Sequence, residues 1–226
     1  MNEPSQVQPA PATGDASTSR QREQMVQRQL VGRDITDRRV LDAMRRVPRH
    51  RFVPEQWRAE AYADRPLPIG RGQTISQPYI VALMTQLARI RPDARVLDVG
   101  TGSGYQAAVL GELCKEVLSI EIVEPLATEA RQRLAALGYE NIEVRAGDGY
   151  RGWIEKAPFD AIIVAAAPDH VPQPLIDQLA PDGRLLIPVG QFYQDLIVIH
   201  KRPDGTIDRR KAAPVAFVPM TGEAER

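Results

Sequence analysis

The residues best suited to chemistry form a glycine-rich turn after an apolar run, Val96-Leu97-Asp98-Val99-Gly100-Thr101-Gly102-Ser103-Gly104-Tyr105. The apolar run predicts a buried strand, and the residues after the turn predict a helix. Glycines in such a turn let a ligand approach the backbone closely. In a dinucleotide site the third glycine follows the first by five residues, whereas Gly104 follows Gly100 by four. The spacing therefore disfavours NAD and, with it, an oxidoreductase.

Three acids lie at the predicted ends of successive strands. Asp98 lies inside the glycine turn, where a carboxylate repels a phosphate but suits a cationic ligand that bears an amino group. Glu121 ends the next apolar run, where it can accept hydrogen bonds from both hydroxyls of a ribose. Asp148, between Gly147 and Gly149, ends the run after that and is placed for the amino group of an adenine. Each feature alone has a structural explanation, but together they predict a site for S-adenosylmethionine.

The elements that must position these groups alternate along the chain. Apolar runs typical of strands alternate with helical patterns, which predicts parallel strands joined by crossover helices. The clearest crossover is a helix over Glu124 to Leu137, with Gly138 as its stop. The predicted strands are residues 96–99, 117–122, 142–144, 159–166 and 184–189. The fold class is therefore α/β, with a doubly wound, mostly parallel, Rossmann-like sheet.

The segments after Val189 are too closely spaced for parallel crossovers. Only a few residues separate Val189 from the run Leu196 to His200, and a short turn then leads into Pro214 to Met220. A parallel crossover needs about a dozen residues. We therefore expect the C-terminal strands to be antiparallel.

The chain divides into a predicted tail and one domain. Residues 1–19 are rich in Pro, Ala, Ser, Thr and Gln and have little apolar surface to bury, which predicts a disordered N-terminal tail. Residues 20–226 predict a single domain, composed of a helical N-terminal extension (20–92), a cofactor-binding core (93–190) and antiparallel strands (191–226). Two short helices are expected before Pro48, the second of them capped by Thr36.

Charge and hydropathy limit the partners. The 29 Lys and Arg balance 29 Asp and Glu, so the chain lacks the basic field that binding to nucleic acid or an anionic membrane normally needs. No apolar run is long enough to span a bilayer, and the N-terminus has no secretory signal, which predicts a cytoplasmic protein with a monomer as the default. Cys114 lies in an apolar helical stretch, which favours packing over reactivity. Ten Arg against four acids between Arg20 and Arg51 indicate either a solvated helix face or a surface that attracts acidic peptides.

A second loop, residues 67–79, precedes an apolar helix that begins near Ile80. Ser76 is well placed to cap that helix, with Pro78 in the first turn. The N–H groups of a helix N-terminus also bind anions, and the hydroxyls of Thr74 and Ser76 add donors suited to a carboxylate. Ser76 therefore has two compatible roles, as a helix cap and as a carboxylate ligand.

Several segments resemble the protein-L-isoaspartate O-methyltransferases. They are Arg51-Phe52-Val53-Pro54, Gly70 to Tyr79, the Asp98 to Tyr105 loop, Gly147-Asp148-Gly149, Ile187-Pro188-Val189-Gly190 and Phe217-Val218-Pro219-Met220. The resemblance extends from about Met25 to Gly222, and the run Gly72 to Pro78 is its most specific part. It implies that S-adenosylmethionine is the cofactor and that Ser76 is the active-site serine. Cofactor contacts are implied for the glycine loop, Glu121, Asp148, Gly149 and Thr221.

The resemblance implies methyl transfer to the free α-carboxylate of isoaspartyl residues in damaged proteins and peptides, which begins repair through a methyl ester and a succinimide. Such a carboxylate, with a pKa of about 3.5, is ionised at neutral pH and needs no general base. Thr74 and Ser76 would then position it. The run Ala165 to Pro168 lacks the motif with which enzymes that methylate nitrogen hold their acceptors, and His170 nearby is more often incidental than a base. A methyltransferase for a small carboxylate or hydroxyl compound and a non-enzymatic peptide-binding module remain alternatives, and no metal site is predicted.

Overall fold

The computed structural model describes residues 16–225. The α-helices are α1 (Ala16–Met25), α2 (Arg38–Arg46), α3 (Pro78–Ala88), α4 (Tyr105–Gly111), α5 (Glu124–Ala136) and α6 (Gln173–Asp177). A π-helix (Val26–Val31) continues α1, and short 3-10 turns lie at Arg49–Phe52, Glu55–Glu60, Gly149–Arg151, Ile154–Lys156 and Gly222–Glu225. The strands are β1 (Leu67–Gly70), β2 (Gln73–Ile75), β3 (Arg95–Val99), β4 (Glu116–Glu121), β5 (Ile142–Ala146), β6 (Phe159–Val164), β7 (Leu179–Val189), β8 (Gln194–Lys201) and β9 (Ile207–Val215).

Seven of these strands form one sheet, in the order β5-β4-β3-β6-β7-β8-β9. The first five are parallel, while β8 and β9 are antiparallel to their neighbours. The chain passes from β3 outward to β4 and β5 and returns to β6 on the other side of β3. Such a reversal opens a crevice at the carboxyl ends of the strands, where open α/β sheets bind their ligands. The predicted fold class and the antiparallel C-terminal strands are confirmed.

The central sheet separates two apolar clusters, as alternating strand residues require. In β6, Ala161 and Ile163 face the cluster that includes the N-terminal helices, whereas Ile162 and Val164 face the other. Side chains of successive strand residues point to opposite faces, so a strand covered on both sides reads as a continuous apolar run. This explains why β3 and β6 were recognisable from sequence.

The crossover helix α5 ends as predicted. Leu126, Ala130 and Leu134 are buried on one face. Gly138 has φ of +82° just beyond the helix end, and its N–H donates to the carbonyl of Ala135 at 3.0 Å. A residue in this left-handed conformation is the common C-terminal stop of a helix, and glycine adopts it at no steric cost.

The N-terminal region departs from two predictions. The helix α1 begins at Ala16, so residues 16–19 are helical rather than part of a tail, and residues 1–15 lie outside the described range. Burial of Met25 anchors that helix against the core. Asp37, not Thr36, caps α2, because its side chain accepts hydrogen bonds from the backbone N–H groups of Arg39 at 2.9 Å and of Val40 at 3.4 Å.

The last strand also lies elsewhere than predicted, at Ile207–Val215 instead of 214–220. A tight turn joins it to β8, with Lys201 opposite Ile207, and this turn fixes the register. The strand occupies the exposed edge of the sheet and is rich in charged residues, so it lacks the apolar pattern of a strand. Cys114 is buried, as predicted. Within residues 16–225, no helix has the length and apolar character to cross a membrane.

Candidate active site

A pocket opens at the carboxyl edge of the sheet, above the reversal between β3 and β6. Its floor is the turn after β3, and its walls come from the ends of β4 and β6, the β2–α3 junction and the segment 217–221. Of the predicted site residues, those that line it are Thr74, Ser76, Gly100, Gly102, Glu121, Gly149 and Thr221. Asp98, Gly104 and Asp148 lie behind this lining. The tertiary structure therefore joins the predicted cofactor loop and the predicted carboxylate loop in one cavity.

Positive φ angles shape the glycine turn. Gly100, Gly102 and Gly104 have φ of +90°, +52° and +88°, backbone angles that residues other than glycine rarely adopt. The N–H of Gly100 donates to the carbonyl of Ile120 at 2.8 Å, which ties the turn to the neighbouring strand. Gly104 serves packing, because a Cβ there would lie 3.3 Å from Cδ1 of Leu134 in α5.

The Glu121 side chain is buried at the pocket wall with 6% of its surface exposed. One carboxylate oxygen accepts a hydrogen bond from the N–H of Gly102 at 2.8 Å, and the other accepts from Val123 at 2.9 Å. A carboxylate offers about four acceptor directions. Glu121 therefore holds the turn in place and keeps acceptor capacity for hydroxyl donors in the pocket.

Asp98 is fully buried beneath the pocket. Its Oδ2 accepts a hydrogen bond from the Ser119 hydroxyl at 2.7 Å, while Oδ1 has no partner among the described residues. Burial raises the pKa of Asp98 to about 7, against the lowering effect of Ser119 and with a smaller increase from the negative charge of Glu121. A buried carboxylate with one unused oxygen lacks a positive partner among the described residues.

Asp148 and Gly149 follow β5 and play different parts. The Asp148 carboxylate accepts hydrogen bonds from the N–H groups of Tyr150 and Glu223, both at 2.9 Å, so it fastens the C-terminal turn to the sheet. Gly149 lines the pocket against β3, and a Cβ there would lie 2.3 Å from Cγ1 of Val99. Only glycine lets these two segments approach so closely.

The substrate side of the pocket is formed by the end of β2 and the start of α3. Thr74 is exposed and Ser76 is half-buried, and both line the cavity. The predicted capping role of Ser76 is wrong, because the N-cap of α3 is Gln77 and no side chain caps it. Pro78 is the first helical residue and holds the residue before it in an extended conformation, so Ser76 lies one position outside the cap.

The segment Phe217 to Met220 forms a wall that was noted in the sequence only as part of a family pattern. The Gln194 side chain accepts from the N–H of Phe217 at 2.6 Å and donates to its carbonyl at 3.0 Å. Ala167 joins the same segment to the end of β6, through hydrogen bonds with Val218 at 2.8 Å and Met220 at 2.9 Å. Gln194 was missed because a lone glutamine in a strand carries no sequence signal.

Comparison with known proteins assigns the chain to a family. Residues 20–225 match the family model described as protein-L-isoaspartate(D-aspartate) O-methyltransferase (PCMT). The chain belongs to this family. Protein-L-isoaspartate O-methyltransferase 2 of Polaromonas sp. is 58% identical over 194 residues, covering 85% of this chain and 92% of the relative. The protein-L-isoaspartate O-methyltransferase of Synechococcus sp. is 56% identical over 223 residues, covering 95% and 91%.

Solved structures agree with this assignment to the isoaspartate methyltransferase family. One named protein-L-isoaspartate O-methyltransferase superposes with a TM-score of 0.82 at 27% identity, covering 90% of this chain and 67% of that one. Another, a Plasmodium falciparum protein in complex with S-adenosyl-L-homocysteine, gives a TM-score of 0.77 at 27% identity, covering 88% and 98%.

Two features of this methyltransferase family member lie outside the pocket. The His170 ring is exposed, with Nε2 at 2.8 Å from the Tyr150 hydroxyl and Nδ1 at 2.5 Å from Asp169 Oδ1, and it is not a pocket residue. Three of the N-terminal arginines, Arg33, Arg45 and Arg46, pair with acids, and Arg49 is buried away from the surface. These contacts weaken the interpretation of the arginine-rich region as an attractant for acidic peptides.

Proposed function

We propose that this protein transfers a methyl group from S-adenosylmethionine to the free α-carboxylate of L-isoaspartyl residues in damaged proteins and peptides. The observation that carries the proposal is that one pocket is lined both by the Thr74–Ser76 loop and by the glycine turn with Glu121. Family membership supports the same reaction. A cofactor loop beside hydroxyl donors is what methyl transfer to an oxygen of a carboxylate requires.

The residues of the pocket fit this cofactor. The Asp98 carboxyl lies buried at the base of the glycine turn with Oδ1 unpartnered among the described residues, and its negative charge favours a cationic amino group bound nearby. Glu121 has spare acceptor directions for ribose hydroxyls, and Gly149 lines the pocket beside it. Thr221 lies at the rim. For Asp148 we propose an indirect role, because it does not line the pocket and its carboxylate holds the backbone of Tyr150 and Glu223.

The chain's own residues act by position. When bound, the cofactor supplies an electrophilic methyl group on a positively charged sulfur. Thr74 and Ser76 donate hydrogen bonds to the substrate carboxylate and hold one of its oxygens toward that methyl group. Orientation of this kind lowers a reaction barrier by up to roughly 7 to 11 kcal/mol. Ser76 is then a positioning donor and not a nucleophile, and no side chain has to remove a proton because the carboxylate is already ionised.

The product chemistry completes the repair outside the protein. The new methyl ester loses methanol when the neighbouring backbone nitrogen attacks its carbonyl, and a succinimide forms. Hydrolysis of the succinimide gives a normal aspartyl linkage in a fraction of the substrate molecules and an isoaspartyl linkage in the rest. Methylation of a small carboxylate or hydroxyl compound is the alternative, and the match to the isoaspartate family over residues 20–225 does not favour it.

The proposal also covers how the domain is divided, the oligomeric state and the compartment in which the protein works. We propose that residues 93–190 are the cofactor-binding core, with 20–92 and 191–226 completing the substrate side of a single domain. We also propose a monomer that works in the cytoplasm and does not bind nucleic acid. The balance of 29 basic against 29 acidic residues supports the last point.

The decisive test uses two synthetic peptides of identical sequence, one with a normal aspartyl linkage and one isoaspartyl. Purified protein is incubated with methyl-labelled S-adenosylmethionine, and the labelled methanol that base releases from the methyl ester is measured. We expect label from the isoaspartyl peptide alone. Labelling of neither peptide, with the cofactor still bound, would instead favour a small-molecule acceptor.

A further inference from the structure

The turn between β7 and β8 presents two adjacent aromatic side chains to water. Phe192 is 94% exposed and Tyr193 is 95% exposed, the highest values among the large apolar side chains of residues 16–225. Isolated exposed apolar residues are ordinary, but contiguous ones mark interaction surfaces. Burying this pair against a partner recovers hydrophobic free energy that the isolated protein leaves unused.

The turn that carries the pair is tight. Gly190 has φ of +130°, and a Cβ at that position would lie 2.1 Å from the carbonyl oxygen of Tyr193. The N–H of Gly190 donates to the carbonyl of Pro168 at 3.0 Å, and Val189 pairs with Asp195 across the hairpin. Both ends of the turn are therefore fixed to the sheet, so the backbone that carries the two aromatic side chains has a defined position.

This position borders the proposed active site. Gln194, which follows Tyr193, holds Phe217 by two hydrogen bonds, and Phe217 lines the pocket. Neighbouring Cα atoms are about 3.8 Å apart, so Phe192 lies within about 8 Å of Gln194 along the chain. An extended polypeptide advances about 3.3 Å per residue. A substrate with its reactive residue in the pocket thus has neighbours within reach of the turn.

We propose that Phe192 and Tyr193 form a docking surface for the polypeptide that flanks the isoaspartyl residue. The proposal rests on the function proposed above, which requires a polypeptide to extend from the pocket. Asp195 at the base of the hairpin is paired with Lys211 at 2.6 Å, so the turn offers apolar contact and not a net charge. Aromatic faces bind varied neighbours at low conformational cost, which suits recognition of one linkage in many sequences.

The experiment compares a long and a short acceptor. The Phe192→Ser/Tyr193→Ser double variant is assayed with an isoaspartyl peptide of about ten residues that has apolar flanks, a length that at about 3.3 Å per residue reaches the turn, and with a blocked isoaspartyl dipeptide. We expect KM for the long peptide to rise about tenfold with kcat unchanged, as for loss of a central aromatic contact. KM for the dipeptide and the affinity for S-adenosylhomocysteine should not change.

A matched control removes another exposed apolar side chain. Ile154 is 68% exposed and lies just before β6, near the amino ends of the parallel strands and away from the carboxyl ends that carry the pocket. We expect Ile154→Ser to leave both acceptors unchanged. Circular dichroism and the thermal midpoint of each variant verify that the fold is retained.

Three results would overturn docking by the substrate flank. Equal losses with both acceptors would show that the turn shapes the pocket, and no loss with either would show that the flank does not touch it. A dimer of the wild type in sedimentation that the double variant abolishes, with unchanged peptide kinetics, would make this surface an interface between copies. Failure of the wild type to methylate either acceptor is a separate result, since it removes the proposed function and docking with it.

Discussion

Replacement of Asp98 by asparagine should stabilise the ligand-free protein while it weakens cofactor binding. Burial penalises the charge of this carboxyl and raises its pKa from the ordinary value of about 3.8 to about 7. Each pKa unit corresponds to about 1.36 kcal/mol, so a shift of about 3 units costs the folded state about 4 kcal/mol above pH 7. Asparagine keeps an acceptor for Ser119 and carries no charge at any pH.

The pH dependence has a defined sign. Between about pH 4 and 7 the folded protein holds a proton on Asp98 that the unfolded chain has released, so the stability from this group is complete below pH 4 and is lost as pH rises toward 7. The asparagine variant has no such loss. Between pH 5 and 8, its stability advantage over the wild type should therefore grow by about 3 kcal/mol, at about 1.36 kcal/mol per unit up to pH 7.

Urea denaturation of both proteins at pH 5, 6, 7 and 8 measures this difference directly. Saturating S-adenosylhomocysteine should narrow this difference at pH 8, because a ligand that binds only the folded state stabilises the tighter-binding wild type more, in proportion to the logarithm of its affinity. Ser119→Ala is the control, since it removes the hydrogen bond at 2.7 Å and leaves the charge in place. Stability curves that stay parallel from pH 5 to 8 would refute the description of Asp98 as a buried carboxylate without a positive partner.

The remaining predictions concern the pocket lining. Ser76→Ala should lower kcat about 10- to 100-fold, as for loss of one positioning hydrogen bond, and leave calorimetric binding of S-adenosylhomocysteine nearly intact; equal loss of both would move Ser76 to the cofactor. Glu121→Gln should weaken cofactor binding about 10- to 100-fold, since a charged acceptor is replaced by an amide, and an unchanged Kd would exclude the ribose contact. Gly149→Ala should lower the free energy of unfolding by about 1 to 3 kcal/mol through overpacking, because its Cβ would lie 2.3 Å from Cγ1 of Val99. Adding Val99→Ala should restore part of that loss in thermal denaturation, whereas a double variant no better than the single one would contradict the steric explanation.

The fold was readable because its central strands are covered on both faces. Strands β3 and β6 are mostly apolar, with apolar residues on both faces, and α5 has a clear apolar stripe with a glycine stop at Gly138. The edge strand β9 was misplaced because its exposed, charged side chains carry no burial pattern, and a turn alone fixes its register. The helix starts were each predicted one residue too early: the N-caps of α2 and α3 are Asp37 and Gln77, not Thr36 and Ser76.

For the site, the sequence by itself determined the chemical types: a glycine turn, acids at strand ends, and hydroxyls in a loop before a helix. Their distances belong to the tertiary structure, since Ser76, just before α3, and Glu121, at the end of β4, line the same pocket only in the folded chain. Only the folded chain distinguishes Glu121, which lines the cavity, from Asp148, which does not line it and holds the backbone of Tyr150 and Glu223. Sequence spacing records which element carries a side chain, whereas burial and hydrogen-bond partners depend on residues far away along the chain. For the same reason the sequence shows that residue 98 is an acid, whereas its raised pKa of about 7 follows from burial in the folded protein.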